Sequence, residues 1–98
     1  MISGKTRQYE AVFIYQVGED SLAAGKTEVS KEFGKSGIKV LKEEDMGARN
    51  LAYQIKKDDR GHYIRYDVET EPEKIKPLEK SLKLKTEILK YVFFRKDE

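Results

Sequence analysis

Apolar residues along this chain come in two rhythms, a strand-like period of two and a helix-like period near 3.6, and their order predicts a fold. From Tyr9 to Val17 the run is apolar and β-rich, with Ala11, Phe13 and Tyr15 on one face and Val12 and Ile14 on the other. Apolar residues on both faces predict a central strand whose second face is not simply bathed in water. Gly18-Glu19-Asp20-Ser21 breaks the run, and Asp20 or Ser21 is placed to cap a helix. Leu22, Val29 and Phe33 then recur at helical spacing, with Ala23 and Ala24 allowing close approach and Gly34 and Gly37 bracketing the stop. The internal Gly25 weakens such a helix by about 1 kcal/mol relative to Ala, so this helix is expected to lean on tertiary packing.

Ile38 to Met46 alternates apolar with charged residues, passes through Gly47 as an expected bulge, and resumes over Leu51 to Ile55. Lys57-Asp58-Asp59-Arg60-Gly61 has turn chemistry, and His62 to Val68 returns as a partner strand. Glu71-Pro72-Glu73 opens a second helix whose apolar stripe is Ile75, Leu78, Leu82 and Leu84, with Pro77 tolerable only because it sits early. Ile88 to Phe94 is the last strand. The order β-α-β-β-α-β with short connections predicts an α+β fold of the split βαβ, or ferredoxin-like, arrangement. That arrangement is a four-stranded antiparallel sheet with two helices on one face. No linker, repeat or low-complexity segment interrupts it, so residues 1–98 are expected to form a single domain in which 1–6 are a flexible extension.

Composition narrows the class. With 98 residues the chain suits one domain, and 38% hydrophobic content supplies one core while 39% charged content leaves a heavily solvated exterior. No cysteine is present for disulfides or thiolate metal sites, and no apolar run approaches the roughly 18 residues of a membrane span. A soluble cytoplasmic protein is expected. The net charge of +2 conceals an uneven distribution. Lys74, Lys76, Lys80, Lys83, Lys85, Lys90, Arg95 and Lys96 face only Glu79 and Glu87 in their stretch, whereas Glu43, Glu44, Asp45, Asp67, Glu69, Glu71 and Glu73 gather elsewhere. Such asymmetry suits a protein that turns one surface toward phosphates.

In the expected fold the second face of the sheet is uncovered, and what lines it bears on function. Ile64, Tyr66 and Val68 should face the helices. Tyr63, Arg65 and Asp67 should then point outward beside Val12, Ile14, Lys90 and Val92. A face that mixes aromatic, aliphatic and cationic groups on adjacent strands suits binding of protein or RNA. The segment Gly47-Ala48-Arg49-Asn50-Leu51-Ala52-Tyr53-Gln54-Ile55-Lys56 has no nucleophile, metal-ligand spacing or phosphate loop. A cation and an aromatic on a long hairpin arm suit recognition better than catalysis.

Tyr9-Glu10, the run Gly-x-Arg-x-Leu-Ala-Tyr-x-Ile-Lys at 47–56, Lys57, Gly61, Tyr63 and Tyr66 resemble the bacterial small-subunit ribosomal protein S-six family over residues 7 to about 95. The resemblance implies a structural constituent of the small ribosomal subunit. Such a protein binds the central domain of small-subunit rRNA together with ribosomal protein S-eighteen, as a heterodimer. Arg49, Tyr53 and Lys57 match motif positions. On this basis Arg7, Arg49, Lys56, Lys57, Lys83, Lys85 and Lys90 are the expected rRNA contacts. Val12, Ile14, Tyr53, Ile55, Tyr63, Arg65 and Val92 are the expected partner interface. Family members often carry a large aromatic near position 65, so Arg65 makes that part of the face more electrostatic. The chain ends at Asp97-Glu98 soon after the last strand, without the long acidic tail of some members, which leaves the glutamate addition made to such tails an open question here.

Catalysis has little to stand on. An acylphosphatase of similar fold needs a phosphate-cradling loop after the first strand, where this chain has Gly18-Glu19-Asp20, whose carboxylates repel phosphate. The sole histidine, His62, reads as a surface residue beside a turn, and Asp58-Asp59 as part of that turn. No enzyme, metal site or cofactor is expected, nor a membrane or small-molecule partner. The alternative is a free-standing single-stranded RNA-binding module that uses the sheet face, with Tyr63 as its stacking residue but without the Lys/Arg-Gly-Phe/Tyr pattern of such modules.

Overall fold

The computed structural model describes residues 6–96, which form β1 (Arg7–Tyr15), α1 (Glu19–Ser36), β2 (Lys39–Ile55), β3 (Asp58–Thr70), α2 (Ile75–Leu82) and β4 (Ile88–Arg95). A 3₁₀ turn at Pro72–Lys74 leads into α2, which leaves Pro77 within the helix's first turn, where its missing N–H costs nothing. The strands pair antiparallel in the order β2-β3-β1-β4, so the expected ferredoxin-like fold is the observed one. The extension expected over 1–6 lies outside the described residues except for Thr6, whose hydroxyl donates to Glu69 Oε2 at 3.4 Å.

The alternation along β1 decides where the core sits. Tyr9, Ala11, Phe13 and Tyr15 are buried against the helices together with Ile64, Tyr66 and Val68 of β3. Phe13 is the hub, with the rings of Tyr15, Phe33, Tyr66, Tyr91 and Phe93 at centroid distances of 6.0, 6.1, 5.4, 5.9 and 6.1 Å. Edge-to-face contacts dominate this cluster, as the quadrupole of each ring favours. From α1 come Val29 and Phe33, and from α2 come Leu78 and Leu82, spaced so that each helix presents one stripe. Gly25 of α1 lies directly against the Tyr15 ring, which is why a residue of poor helix propensity stands there.

Several boundaries differ from the sequence reading. β1 begins at Arg7 and ends at Tyr15, so Val17 is outside the sheet and exposed. The N-cap of α1 is Gly18, and neither Asp20 nor Ser21 makes a capping hydrogen bond; Glu19 and Asp20 instead place negative charge in the first turn, where the helix dipole favours it. The helix runs through Gly34 to Ser36 and stops at Gly37, whose φ of 72° closes the last turn. Leu84 lies beyond α2 and is 81% exposed, so it does not extend that helix's apolar stripe.

The largest difference is the hairpin. The expected turn at 57–61 is a two-residue connection at Lys56 and Lys57, with φ of 52° and 72°, and Asp58 to Gly61 belong to β3. Two left-handed residues match the right-handed twist of the flanking strands, but such turns are usually signalled by Asn-Gly or Asp-Gly, which this chain lacks. Lysine in that conformation is strained. Lys57→Gly is therefore expected to raise stability by roughly 0.5–1 kcal/mol, read as a higher denaturant midpoint at unchanged slope. An unchanged or lower midpoint would count against this turn geometry.

Candidate nucleic-acid and partner interface

β2 and β3 outrun the rest of the sheet, and their long arm has somewhere to go. Lys56 at its tip donates to the carbonyl of Ile88 at 3.0 Å, which ties the hairpin to the first residue of β4. Bulges along β2, one of them at Gly47 with φ of 87°, re-aim the arm. The Gly47 N–H donates to Asp45 Oδ1 at 2.9 Å, and Asp45 Oδ1 lies 2.6 Å from His62 Nε2. The hydrogen bond with His62, followed by that from Gly47, holds the Asp45 carboxyl below its ordinary value. His62 is therefore a cross-strand pairing residue within β3 and not a bystander at a turn.

Under the arm lies a groove of about 550 Å³, lined by Ile14, Ile55, Tyr53, Tyr63, Lys56 and Lys90 together with Leu51, Ala52 and Gln54. Ile14 was expected to be an exposed partner residue, but it is buried, because Gly61 packs on its Cγ2 and Leu51 comes in beside it. Tyr53 is 84% exposed at the rim, while Ile55 and Tyr63 are half-buried. The Arg49 guanidinium sits 5.5 Å from the Tyr63 ring centroid, a cation–π arrangement, and donates to the Met46 carbonyl at 3.5 Å.

The rest of the outer sheet face divides in two. Val12 stands opposite both Val92 and Arg65, and Glu10 stands opposite Phe94. Val12 and Val92 are half-buried and Phe94 is 52% exposed, so an apolar strip crosses β1 and β4. Beside it Arg65 is encircled by carboxylates, at 3.2 Å from Glu44, 3.7 Å from Glu10 and 4.0 Å from Asp67. Lys96 reaches Asp67 at 3.6 Å. Arg65 is thus engaged within the chain and surrounded by more negative charge than it carries.

The expected rRNA-contact residues do not form one patch. Lys56, Lys57 and Lys90 gather at the hairpin tip and the start of β4, and Lys83 stands at the end of α2, at the head of the turn into β4. Arg7 is half-buried opposite Thr70, at the far end of β1. Lys85 is committed elsewhere: its ammonium lies 3.0 Å from Glu28 and 3.4 Å from Glu32, tying the α2–β4 turn to α1. The hydrogen bond to Glu28 raises the Lys85 pKa, and its counterpart lowers that of Glu28. Two cations left out of the residue-level expectation belong with Lys83. Lys76, Lys80 and Lys83 follow one another at i, i+4 and i+7, a single exposed stripe opposite Leu78 and Leu82, and none has an ion-pair partner among the described residues. That spacing was readable from the chain.

Among the described residues no group of three or more His, Cys, Asp or Glu is placed to hold a metal ion, and no helix is long and apolar enough to cross a membrane. What the surface offers is charge, exposed aromatics and a groove, the equipment of a binding protein. Comparison with known proteins agrees. The chain is 35% identical over 92 residues to small ribosomal subunit protein bS6 of Treponema denticola, covering 94% of this chain and 99% of that one. Its identity to the protein of the same name from Treponema pallidum is 33% over 91 residues, covering 93% and 98%. Its fold superposes on the crystal structure of 30S ribosomal protein S6 from Thermotoga maritima with a TM-score of 0.82 at 30% identity, covering 94% of this chain and 89% of that one. The family model described as Ribosomal protein S6 matches residues 8–95. With that match across nearly all of its length, the chain belongs to the bacterial ribosomal protein S6 family, as a non-enzymatic protein of the small ribosomal subunit.

Proposed function

We propose that this chain is a structural component of the small subunit in the cytoplasmic ribosome, where it binds the central domain of small-subunit rRNA jointly with ribosomal protein S-eighteen. The carrying observation is the division of its surface. The outer sheet face pairs an apolar strip of Val12, Val92 and Phe94 with the carboxylate ring of Glu10, Glu44 and Asp67 about Arg65. A phosphate backbone would be repelled there, whereas a protein that brings cations and apolar side chains would be accommodated. Lys56, Lys57 and Lys90 at the hairpin tip and the start of β4 supply the opposite character, and Lys76, Lys80 and Lys83 add a second basic stripe along α2. Lysines neutralise phosphates and release counterions, which gives affinity with a steep salt dependence.

The same division weighs against a free-standing RNA module. Such a module would spread several bases across the central strands, where the outer face of β1 and β3 here offers a single ring, Tyr63, and carries Glu10 and Asp67 along the rest of its length.

The test is binding of the purified chain to a central-domain rRNA fragment, with and without S-eighteen, at two salt concentrations. Tight, salt-sensitive binding that requires the partner is the expected result. Lys57→Glu combined with Lys83→Glu should lower that affinity about tenfold or more and flatten the plot of log affinity against log salt by about one unit per lysine. An unchanged affinity and slope would remove these residues from the RNA surface. Phe94→Asp should abolish association with S-eighteen while leaving the fold intact, since that side chain is 52% exposed. Retained association would move the partner off this face.

A further inference from the structure

We propose that the groove beneath the hairpin arm is a subsite for a single unpaired RNA nucleotide, with its base against Tyr63 and Tyr53 and its phosphate between Lys56 and Lys90. The inference deepens the rRNA reading above and rests on it. Charge complementarity comes first: the lining contains two lysines and no carboxylate, although acidic residues crowd the neighbouring half of the same sheet face. An anionic occupant follows. Lys90 is exposed and has no ion-pair partner among the described residues. Lys56 spends one N–H on the Ile88 carbonyl and keeps two, so it is already oriented toward the groove by the bond that holds the arm down.

The remaining lining suits a flat, partly apolar group. Ile14, Leu51 and Ile55 offer an aliphatic floor, and Tyr63 brings an aromatic ring already in contact with the Arg49 guanidinium, which is not itself part of the lining. Tyr53 is 84% exposed and available to close over a base. Aromatic side chains accept any base by stacking, so the subsite selects an unstacked nucleotide and not a particular letter. An apolar side chain of a protein partner would use the floor but leave both ammonium groups without a counter-charge.

Adenosine 5′-monophosphate is the probe, titrated into the intact isotopically labelled chain while the backbone amide resonances of Gln54, Tyr63 and Lys90 are followed. The expected result is a shift of these resonances larger than that caused by inorganic phosphate or by adenosine at equal concentration. Lys90→Gln, at an exposed position where folding is not at risk, should weaken binding about threefold or more, and Tyr63→Leu about fivefold or more. Resonances that AMP leaves in place, or that phosphate alone moves equally, would overturn the proposal. So would shifts produced by S-eighteen in the absence of RNA with AMP inert, which would make the groove a protein site. The central-domain rRNA fragment separates this failure from that of the reading beneath it. If the fragment binds through Lys57 and Lys83 while AMP ignores the groove, only the subsite falls. If the fragment does not bind at all, the RNA reading falls with it.

Discussion

Gly25→Ala is expected to destabilise the protein by roughly 2 kcal/mol, against the direction that helix propensity alone predicts. In an exposed helix interior the same change gains about 1 kcal/mol. Here the new Cβ would lie 2.5 Å from Tyr15 Cδ1, 2.9 Å from Cε1 and 3.2 Å from Glu87 Cβ. The Tyr15 ring has little room to retreat, because it is fully buried, stacked on Phe13 at 6.0 Å and held through its hydroxyl. Either α1 lifts from the sheet or the ring leaves its rotamer, and overpacking of this kind costs about 1–3 kcal/mol. The melting temperature should fall by roughly 8–12 °C, with the denaturant slope unchanged. Gly34→Ala is the internal control. It lies on the same helix, a Cβ there meets nothing within 4 Å, and stability should rise by about 1 kcal/mol. Equal effects at the two positions would show that Tyr15 does not set the identity of residue 25.

Tyr15→Phe is the second large effect. The hydroxyls of Tyr15 and Tyr66 lie 2.7 Å apart within the core, and both residues are buried. Removing one hydroxyl leaves the other without its partner, at a cost of about 1–3 kcal/mol. Tyr66→Phe should cost a similar amount. The double variant removes donor and acceptor together and should lie within about 1 kcal/mol of the unaltered protein, so the cycle should show strong coupling. Strict additivity would deny the pair.

The same pair makes stability fall in alkali. Burial is the chief cause in both residues: it pushes Tyr66 up to about 12 and Tyr15 well above its ordinary value of 10.0. Below the unfolded value both states keep their protons and the stabilisation is complete. Above pH 10 the unfolded chain releases protons that the native chain retains, so stability declines as pH rises toward the folded values. In the double Phe variant this part of the alkaline loss should disappear. A loss of equal size would assign it to other groups.

The element order and the faces of the two central strands were legible because they are written in neighbouring residues. Ala11, Phe13 and Tyr15 against Val12 and Ile14, and Ile64, Tyr66 and Val68 against Tyr63, Arg65 and Asp67, keep to the sides that alternation assigns. The turn at Lys56-Lys57 was not legible, since it runs against residue preference and is carried by the pairing of the flanking strands. Of the candidate site, the motif at 47–56 and the basic character of the last third could be read directly. Their spatial outcome could not. Lys85 looked like a phosphate ligand until α1 brought Glu28 and Glu32 to it, and Ile14 looked exposed until the hairpin arm covered it.

What the sequence determined by itself, then, is the ferredoxin-like order of elements, the core stripe of each, and membership of the ribosomal protein S6 family. Only the tertiary structure decided which charges remain available and where the groove lies. The reason is range: the contact between Lys56 and Ile88 spans 32 positions, and that between Lys85 and Glu28 spans 57. Periodicity is a property of adjacent side chains, whereas pairing across such separations exists only once the sheet and helices have packed.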